Sequence, residues 1–367
     1  MDVQLVDPSA FTPPYDRALA AALARAGADV VLHTSAFPYG EVPPAPGVDV
    51  RESFYRRSFG PAGGRVRRAT KLLGHVPAMR RLARQTQDAD VVHFQWLAVQ
   101  HLDVGLLGRF APPLVLTAHD VLPREPRPGQ LDAQRRLYGE VDAVVVHSEH
   151  GRRRLIDEAG ADPEKVHVIA HGAFEHLART DPELPPELER SAARDAPVVL
   201  QLGLVRPYKG LDVLLDAWRG IRGAELWVVG MPRMDLRPLK QAAPPAVSFV
   251  DRFVTDAEVA AVLRRADLVV LPYREIDQSG VLFAALAFGK PIVASAVGGF
   301  PEVASDGAIE LVPPGEPAAL HAVLDRLLDD EAARARLAAA AGRAARTRFS
   351  WDAIARRHLD LYATLSR

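Results

Sequence analysis

A chain of 367 residues has room for roughly two domains, each with its own core. Its 48% hydrophobic and 25% charged residues are those of an ordinary folded protein and exclude disordered, collagenous and coiled-coil classes. The absence of cysteine excludes disulfide scaffolds, zinc–cysteine sites, iron–sulfur clusters and thiol nucleophiles, and a net charge of −1 argues against a general nucleic-acid binder. In the first half, short apolar runs predict strands at 3–6, 29–33, 90–94, 113–119, 142–147 and 165–171. Helical spacing between them predicts helices at 17–27, 65–84, 131–139 and 151–160. Continuous apolar strands that alternate with helices imply parallel strands joined by right-handed crossovers, a doubly wound α/β domain.

Residues 173–196 are rich in proline and charge, which is linker composition. A second alternation follows, with strands expected at 197–203, 224–230, 246–250, 267–273, 291–295 and 308–312 and helices at 210–218, 255–265 and 279–288. The tail from 330 to 365 reads as two or more helices, broken near Ser350, a suitable N-cap for WDAIARRHLDLYATL. Ligands of such folds lie at the carboxyl ends of the strands. No run reaches the roughly 18 apolar residues of a membrane-spanning helix, and MDVQLVDPSAF lacks the basic start of a secretory signal. A cytoplasmic, soluble enzyme or binding protein is therefore expected.

Two stretches carry chemistry. In QSGVLFAALAFGKPIVASAVGGFPE, residues 278–302, a strand leads through a polar loop into a helix that begins near Ser279 and Gly280. Its free backbone N–H groups and positive end suit a diphosphate. In LGLVRPYKGLDVLLDAW, 202–218, a strand ends at Gly203, Arg206 and Lys209 project from the loop, and Gly210 opens a helix. Two fixed cations beside a helix start offset the charge that grows on a leaving diphosphate; in isolation such a pair is more often solvated loop.

These stretches resemble the nucleotide-binding domain of the retaining GT-B glycosyltransferases of glycosyltransferase family 4. In that family a GR-x-x-x-K-G turn holds the donor diphosphate, and GLVRPYKG carries Arg206 and Lys209 in the matching places. The acidic loop, the GKP strand and the GG-x-PE turn of the family are similar to residues 275–302. LTAHD at 116–120 looks like the family's strand end bearing an active-site histidine, here His119, and VVVHSEHGRRRL with HVIAHGAF looks like its strand–helix–strand before the linker.

The resemblance implies a GT-B fold of two tandem Rossmann-like domains: an acceptor-side domain at 1–178, a linker at 179–196, a nucleotide-sugar domain at 197–348, and a tail helix at 349–367 packing back on the first domain. It implies an enzyme, a metal-independent hexosyltransferase without cofactor, whose donor is a nucleotide sugar such as a UDP- or GDP-sugar. The acceptor is a hydroxyl on a glycan, a lipid-linked molecule or a natural product. His119 would orient the sugar, with Asp120 beside it on the acceptor side. The backbone at Arg252, Phe253 and Val254 would hold the base, and Gly203, Glu275, Asp277, Gln278, Ser279, Gly280 and Val281 would complete the donor site. Without a placed carboxylate nucleophile, same-face attack assisted by the leaving phosphate is the expected route to retention.

The chain departs from the family pattern in two places. Counting back from Gly289 puts Ala284 and Ile276 where the family has its two glutamates. The usual Gly-Gly near the N-terminus is replaced by DPSAFTPPYD at 7–16, with Tyr15 and Asp16 as replacements on the acceptor side. A non-catalytic nucleotide-sugar-binding homologue and a nucleotide-sugar epimerase stand as alternatives to a transferase. The pairs His147 with His150 and His167 with His171 lack a third convergent ligand, so no metal site is expected.

Charge is unevenly spread. Residues 51–84 hold Arg51, Arg56, Arg57, Arg65, Arg67, Arg68, Lys71, Arg80, Arg81 and Arg84 against Glu52, a net of +9 interleaved with Phe54, Tyr55 and Phe59. Such a surface suits peripheral contact with an anionic membrane at the inner face, and equally a solvated arginine-rich helix.

Overall fold

The computed structural model describes residues 1–366 other than 41, 43, 57–63, 124, 125, 127, 193 and 194. It divides into two compact units, Met1–Gly172 with Trp351–Arg367 and Ala173–Ser350. The first contains β1 (Asp2–Val6), α1 (Pro13–Arg25), β2 (Asp29–Thr34), β3 (Val48–Glu52), α2 (Arg65–Gln85), β4 (Val91–Phe94), α3 (Gln100–Leu107), β5 (Leu114–Thr117), α4 (Gln130–Glu140), β6 (Ala143–Val146), α5 (Glu149–Asp157) and β7 (Val166–Val168). Its strands are all parallel, in the order β3-β2-β1-β4-β5-β6-β7. The expected strands form because β4, β5 and β6 are buried along their whole length, as a sheet covered on both faces requires. β3 was not expected: VDVRE is largely exposed at the sheet edge, so it lacks the apolar run that marks its neighbours.

The second unit contains α6 (Glu175–Arg179), α7 (Glu189–Ala192), β8 (Val198–Leu202), α8 (Leu211–Trp218), β9 (Glu225–Val229), α9 (Arg237–Ala242), β10 (Val247–Val250), α10 (Asp256–Arg265), β11 (Leu268–Leu271), α11 (Gly280–Ala287), β12 (Ile292–Ser295), α12 (Phe300–Ala304), β13 (Ile309–Val312), α13 (Pro317–Asp329) and α14 (Glu331–Arg346). This sheet is also all parallel, in the order β10-β9-β8-β11-β12-β13. Trp218, Phe283 and Phe300 are fully buried in this unit. The proline-rich stretch read as linker carries α6 and α7, since Pro185 and Pro186 open a turn that leads directly into α7.

The last helix, α15 (Trp351–Leu365), belongs to the first unit. It lies along α1, with Arg25 paired to Asp352 at 2.6 Å and Tyr362 hydroxyl 2.6 Å from His93 Nδ1. Strand order reverses direction between β1 and β4 and between β8 and β11. In doubly wound sheets such points open crevices at the carboxyl ends of the strands; Arg206 and Lys209 follow β8 and residues 275–281 follow β11, whereas His119 follows β5 and Arg252–Val254 follow the edge strand β10. Among the described residues no helix is long and apolar enough to cross a membrane.

Candidate functional site

In the second unit the chain leaves β8 at Gly203, makes a single 3-10 turn over Pro207–Lys209 and enters α8 through Gly210. Gly210 has φ +66°, and a Cβ there would collide with the Pro272 carbonyl oxygen, so the turn must carry glycine to press against the end of β11. A Cβ on Gly203 would lie 3.2 Å from Lys209 Nζ and 3.0 Å from Val281 Cγ2. The three residues therefore converge at one point. Lys209 is buried, its Nζ lies 4.9 Å from the centre of the Tyr273 ring, and its carbonyl accepts a hydrogen bond from Gln201 Nε2 at 3.2 Å. Arg206 is half-buried. Among the described residues neither cation has an acidic partner, although nearby arginines do.

Those neighbours hold the turn. Arg274 grips Asp212 at the start of α8 through Nη1 and Nη2, 2.8 and 2.6 Å from the two carboxylate oxygens. It also donates from Nη1 to the Pro207 carbonyl at 3.0 Å and from its backbone N to the Tyr208 carbonyl at 2.7 Å. The pairing with Arg274 holds the Asp212 carboxyl below its usual range. A cavity of about 580 Å³ opens beside Arg206, Tyr208, Met234, Leu239 and Glu275.

α11 starts next to this turn. Its N-cap, Ser279, makes no side-chain bond to the helix; its hydroxyl lies 3.4 Å from that of Tyr273, and its own N–H is taken by Gln278 Oε1 at 3.1 Å. The first-turn amides of Gly280 and Val281 are thus left for an external acceptor. Of the remaining residues expected at the donor site, Glu275 is exposed and Asp277 and Ser279 are buried. The Arg252 side chain is held by Glu187 (2.8 Å) and Glu258 (2.6 Å) and also donates to the Phe253 carbonyl at 3.0 Å. Ala284 is buried inside α11 among Leu282, Phe283 and Leu286.

In the first unit, His119 lies two residues past β5 and its ring sits in an aromatic box. Trp96 stacks on it (centroids 5.1 Å, 15° between planes) and Tyr15 meets it edge-on at 4.7 Å. The box continues through Tyr15 to His147, His171 and Trp351, at 5.5, 4.9 and 5.2 Å. Sequence reasoning weighed His147 and His171 only as metal ligands. His147 follows β6, next to β5, and His171 follows β7, next to β6, in VVVH and VIAH; three consecutive strands of the sheet each followed by histidine was the available signal. Burial, reinforced by the neighbouring histidines, holds the His119 and His171 imidazoles well below the ordinary range, and burial takes His147 to about 4. Among the described residues no cluster could hold a metal ion.

The 7–16 loop is built around Asp7, whose carboxylate accepts from the backbone N–H of Ser9, Phe11 and Thr12 at 3.2, 2.6 and 3.1 Å. Thr12 hydroxyl donates to Asp16 at 3.2 Å and accepts from Trp96 Nε1 at 2.9 Å, which ties the loop to the box. Tyr15 and Asp16 are buried. Desolvation, then the nearby Asp7 carboxyl, push the Asp16 carboxyl well above its usual range. Asp120 is exposed.

Residues 196–330 match the family model described as Glycosyl transferases group 1, and residues 16–173 match Glycosyltransferase Family 4. The chain is 31% identical over 383 residues to a D-inositol 3-phosphate glycosyltransferase of Xylanimonas cellulosilytica, covering 95% of this chain and 90% of that one. Among solved structures it is similar to HepE of Anabaena in complex with UDP and glucose, at TM-score 0.76, 20% identity and full coverage of both chains. It is also similar to a sucrose-phosphate synthase of Thermosynechococcus elongatus, at TM-score 0.76 and 21% identity, covering 100% of this chain and 99% of that one.

Proposed function

The chain belongs to glycosyltransferase family 4 and is a glycosyltransferase acting on a nucleotide sugar; on that premise we propose that it moves the sugar to an acceptor hydroxyl with retention, without a divalent cation. One observation carries the reading: Arg206 and Lys209 sit on one short turn, without acidic partners among the described residues, beside the open N-terminus of α11. Positive charge held without a counter-ion suits an anion that arrives with the substrate and gains charge in the transition state. The bond from the anomeric carbon to the diphosphate breaks, and the electron pair passes to a phosphate oxygen neutralised by Arg206, Lys209 and the amides of Gly280 and Val281. The acceptor oxygen bonds to the same face of that carbon and gives its proton to the departing phosphate. His119 orients the sugar, and the backbone of Arg252, Phe253 and Val254 holds the base.

The names of the relatives favour a polyol phosphate as the first acceptor class to try. Transfer is measured with purified protein, UDP- and GDP-sugars, and polyol phosphate or glycan acceptors, with and without EDTA. Full activity after R206A/K209A would refute the site assignment, and loss of activity in EDTA would refute metal independence.

A membrane role for 51–84 is supported by α2. Leu72 and Leu73 are 49% and 79% exposed beside Lys71, and the helix is anchored through His75, which lies 2.5 Å from Asp103 and 2.8 Å from Tyr55 hydroxyl. Arg57 and Phe59 lie outside the described residues, as do the side chains of Arg65, Arg67 and Arg68. Co-sedimentation with vesicles that rises with anionic lipid content is the expected result; binding indifferent to lipid charge refutes it.

A further inference from the structure

His119 is joined to a chain of contacts that leaves no freedom in where its proton sits. At one end, His147 Nδ1 lies 3.0 Å from the carbonyl oxygen of Ile169. A carbonyl can only accept, so Nδ1 of His147 carries the hydrogen. Its ring is buried and neutral, which leaves Nε2 as a bare lone pair. That nitrogen lies 3.3 Å from His119 Nδ1, which must then be the donor. His119 is partly buried beside it and neutral, so its Nε2 has no hydrogen.

At the other end, His119 Nε2 faces Gln95 Oε1 at 3.3 Å, two acceptors in contact, while Gln95 Nε2 is buried without a hydrogen-bond partner. A half-turn of that amide, which exchanges its oxygen and nitrogen, gives the bare Nε2 of His119 a donor and the orphaned NH₂ an acceptor. Trp96 on the face of the ring and Tyr15 at its edge hold the plane in which these contacts are made.

We propose that His147 is a positioning residue for His119, fixing it through the Ile169 carbonyl as the Nδ1–H tautomer with an acceptor nitrogen at Nε2. This rests on the reading that His119 contacts the transferred sugar, and it sharpens that reading. When substrate binds, one of its hydroxyls takes the place of the Gln95 amide as donor to Nε2, and His119 gives that hydroxyl no hydrogen. Without the relay, neutral histidine is free to take the opposite tautomer, with a hydrogen at Nε2 where the substrate hydroxyl must donate.

The full chain labelled with ¹⁵N-histidine, observed by long-range ¹H–¹⁵N correlation at about pH 7.5, where these rings are neutral, decides the matter. Both His119 and His147 are expected to show a protonated Nδ1 and an unprotonated Nε2. In His147→Leu, the proton of His119 is expected to move to Nε2, with kcat for transfer falling about tenfold while the donor KM stays within about twofold. In His147→Gln the amide can give a hydrogen to Ile169 and accept one from His119, so the native tautomer and most of the activity return. A protonated Nε2 on His119 in the unsubstituted protein overturns the proposal, and so does an unchanged His119 spectrum in folded His147→Leu. Should that variant not fold, the spectra of the unsubstituted protein and of His147→Gln separate the two outcomes. The native tautomer in a protein that transfers nothing from any nucleotide sugar would leave the relay standing and remove the functional reading instead.

Discussion

Lys209 Nζ lies 4.9 Å from the centre of the Tyr273 ring, and among the described residues no carboxylate shares its charge. The ring's electron-rich face supports an ammonium that is largely out of water and leaves its donors for a substrate. Lys209→Ala is expected to lower kcat by about 10²–10³-fold with little change in unfolding midpoint. Lys209→Arg should not restore activity, because a planar fork does not reproduce a compact ammonium over the Tyr273 ring. Steady-state kinetics on the two variants checks both statements.

The turn that bears Arg206 and Lys209 is fastened by Arg274. Arg274→Gln removes the grip on Asp212 and the bond to Pro207 while leaving the backbone contact to Tyr208. The ion pair is exposed, so its loss is expected to cost only about 0–1 kcal/mol of stability. The donor KM should nevertheless rise about tenfold, since a loosened turn no longer holds both cations where the diphosphate needs them. Calorimetric titration with nucleoside diphosphate compared with a thermal melt separates the two effects.

Replacing Ala284 with the family's glutamate is expected to damage the protein. The position is 4% exposed and lies in an apolar helix, so a carboxylate there costs roughly 3 kcal/mol or more. A lowered midpoint for Ala284→Glu without gain in donor affinity is the expected result in differential scanning fluorimetry and titration.

Acid should attack the first unit. Burial takes His33, His147 and His358 to about 4 and holds His93, His119 and His171 well below the ordinary value of 6.5; all six lie in that unit. Below pH 6.5 the unfolded chain binds protons that the folded unit refuses, so stability falls as pH drops from 6.5 towards 4. Trp96 and Trp351 report on this unit and Trp218 and Trp227 on the other. Tryptophan fluorescence of W218F/W227F is expected to show unfolding at milder acidity than W96F/W351F.

Asp16 contributes with the opposite sign. Its raised carboxyl pKa means that the folded state holds a proton the unfolded chain releases above 3.8, so stability is complete below that value and is lost as pH rises through the folded pKa. Asp16→Asn keeps a neutral side chain able to accept from Thr12. Its melting temperature relative to the parent is expected to climb between pH 5 and pH 8; a constant offset would contradict this.

Elements buried on both faces were legible because their whole length is apolar: β8, β11 and β12 match their expected runs to within two residues at either end. β3 was illegible because this edge strand is largely exposed, and α3 and α13 because they follow loops without strong caps. The Arg206–Lys209 turn and the α11 start could be read from local order alone, since both lie within a few residues of a strand end. The box around His119 could not. Its walls come from positions 15, 96, 147, 171 and 351, and only the strand order β4-β5-β6-β7 with α15 brings them together.

Trp351 fills the space beside Gly172, where any Cβ would strike its indole ring, yet the two residues are separated in sequence by the whole second unit. During synthesis the second unit is therefore a finished, contiguous stretch while the first still lacks the helix that covers Tyr15 and hydrogen-bonds His93. The half of the molecule made first is the half completed last. Until α15 leaves the ribosome, Tyr15 lacks the Trp351 ring and His93 lacks the Tyr362 hydroxyl.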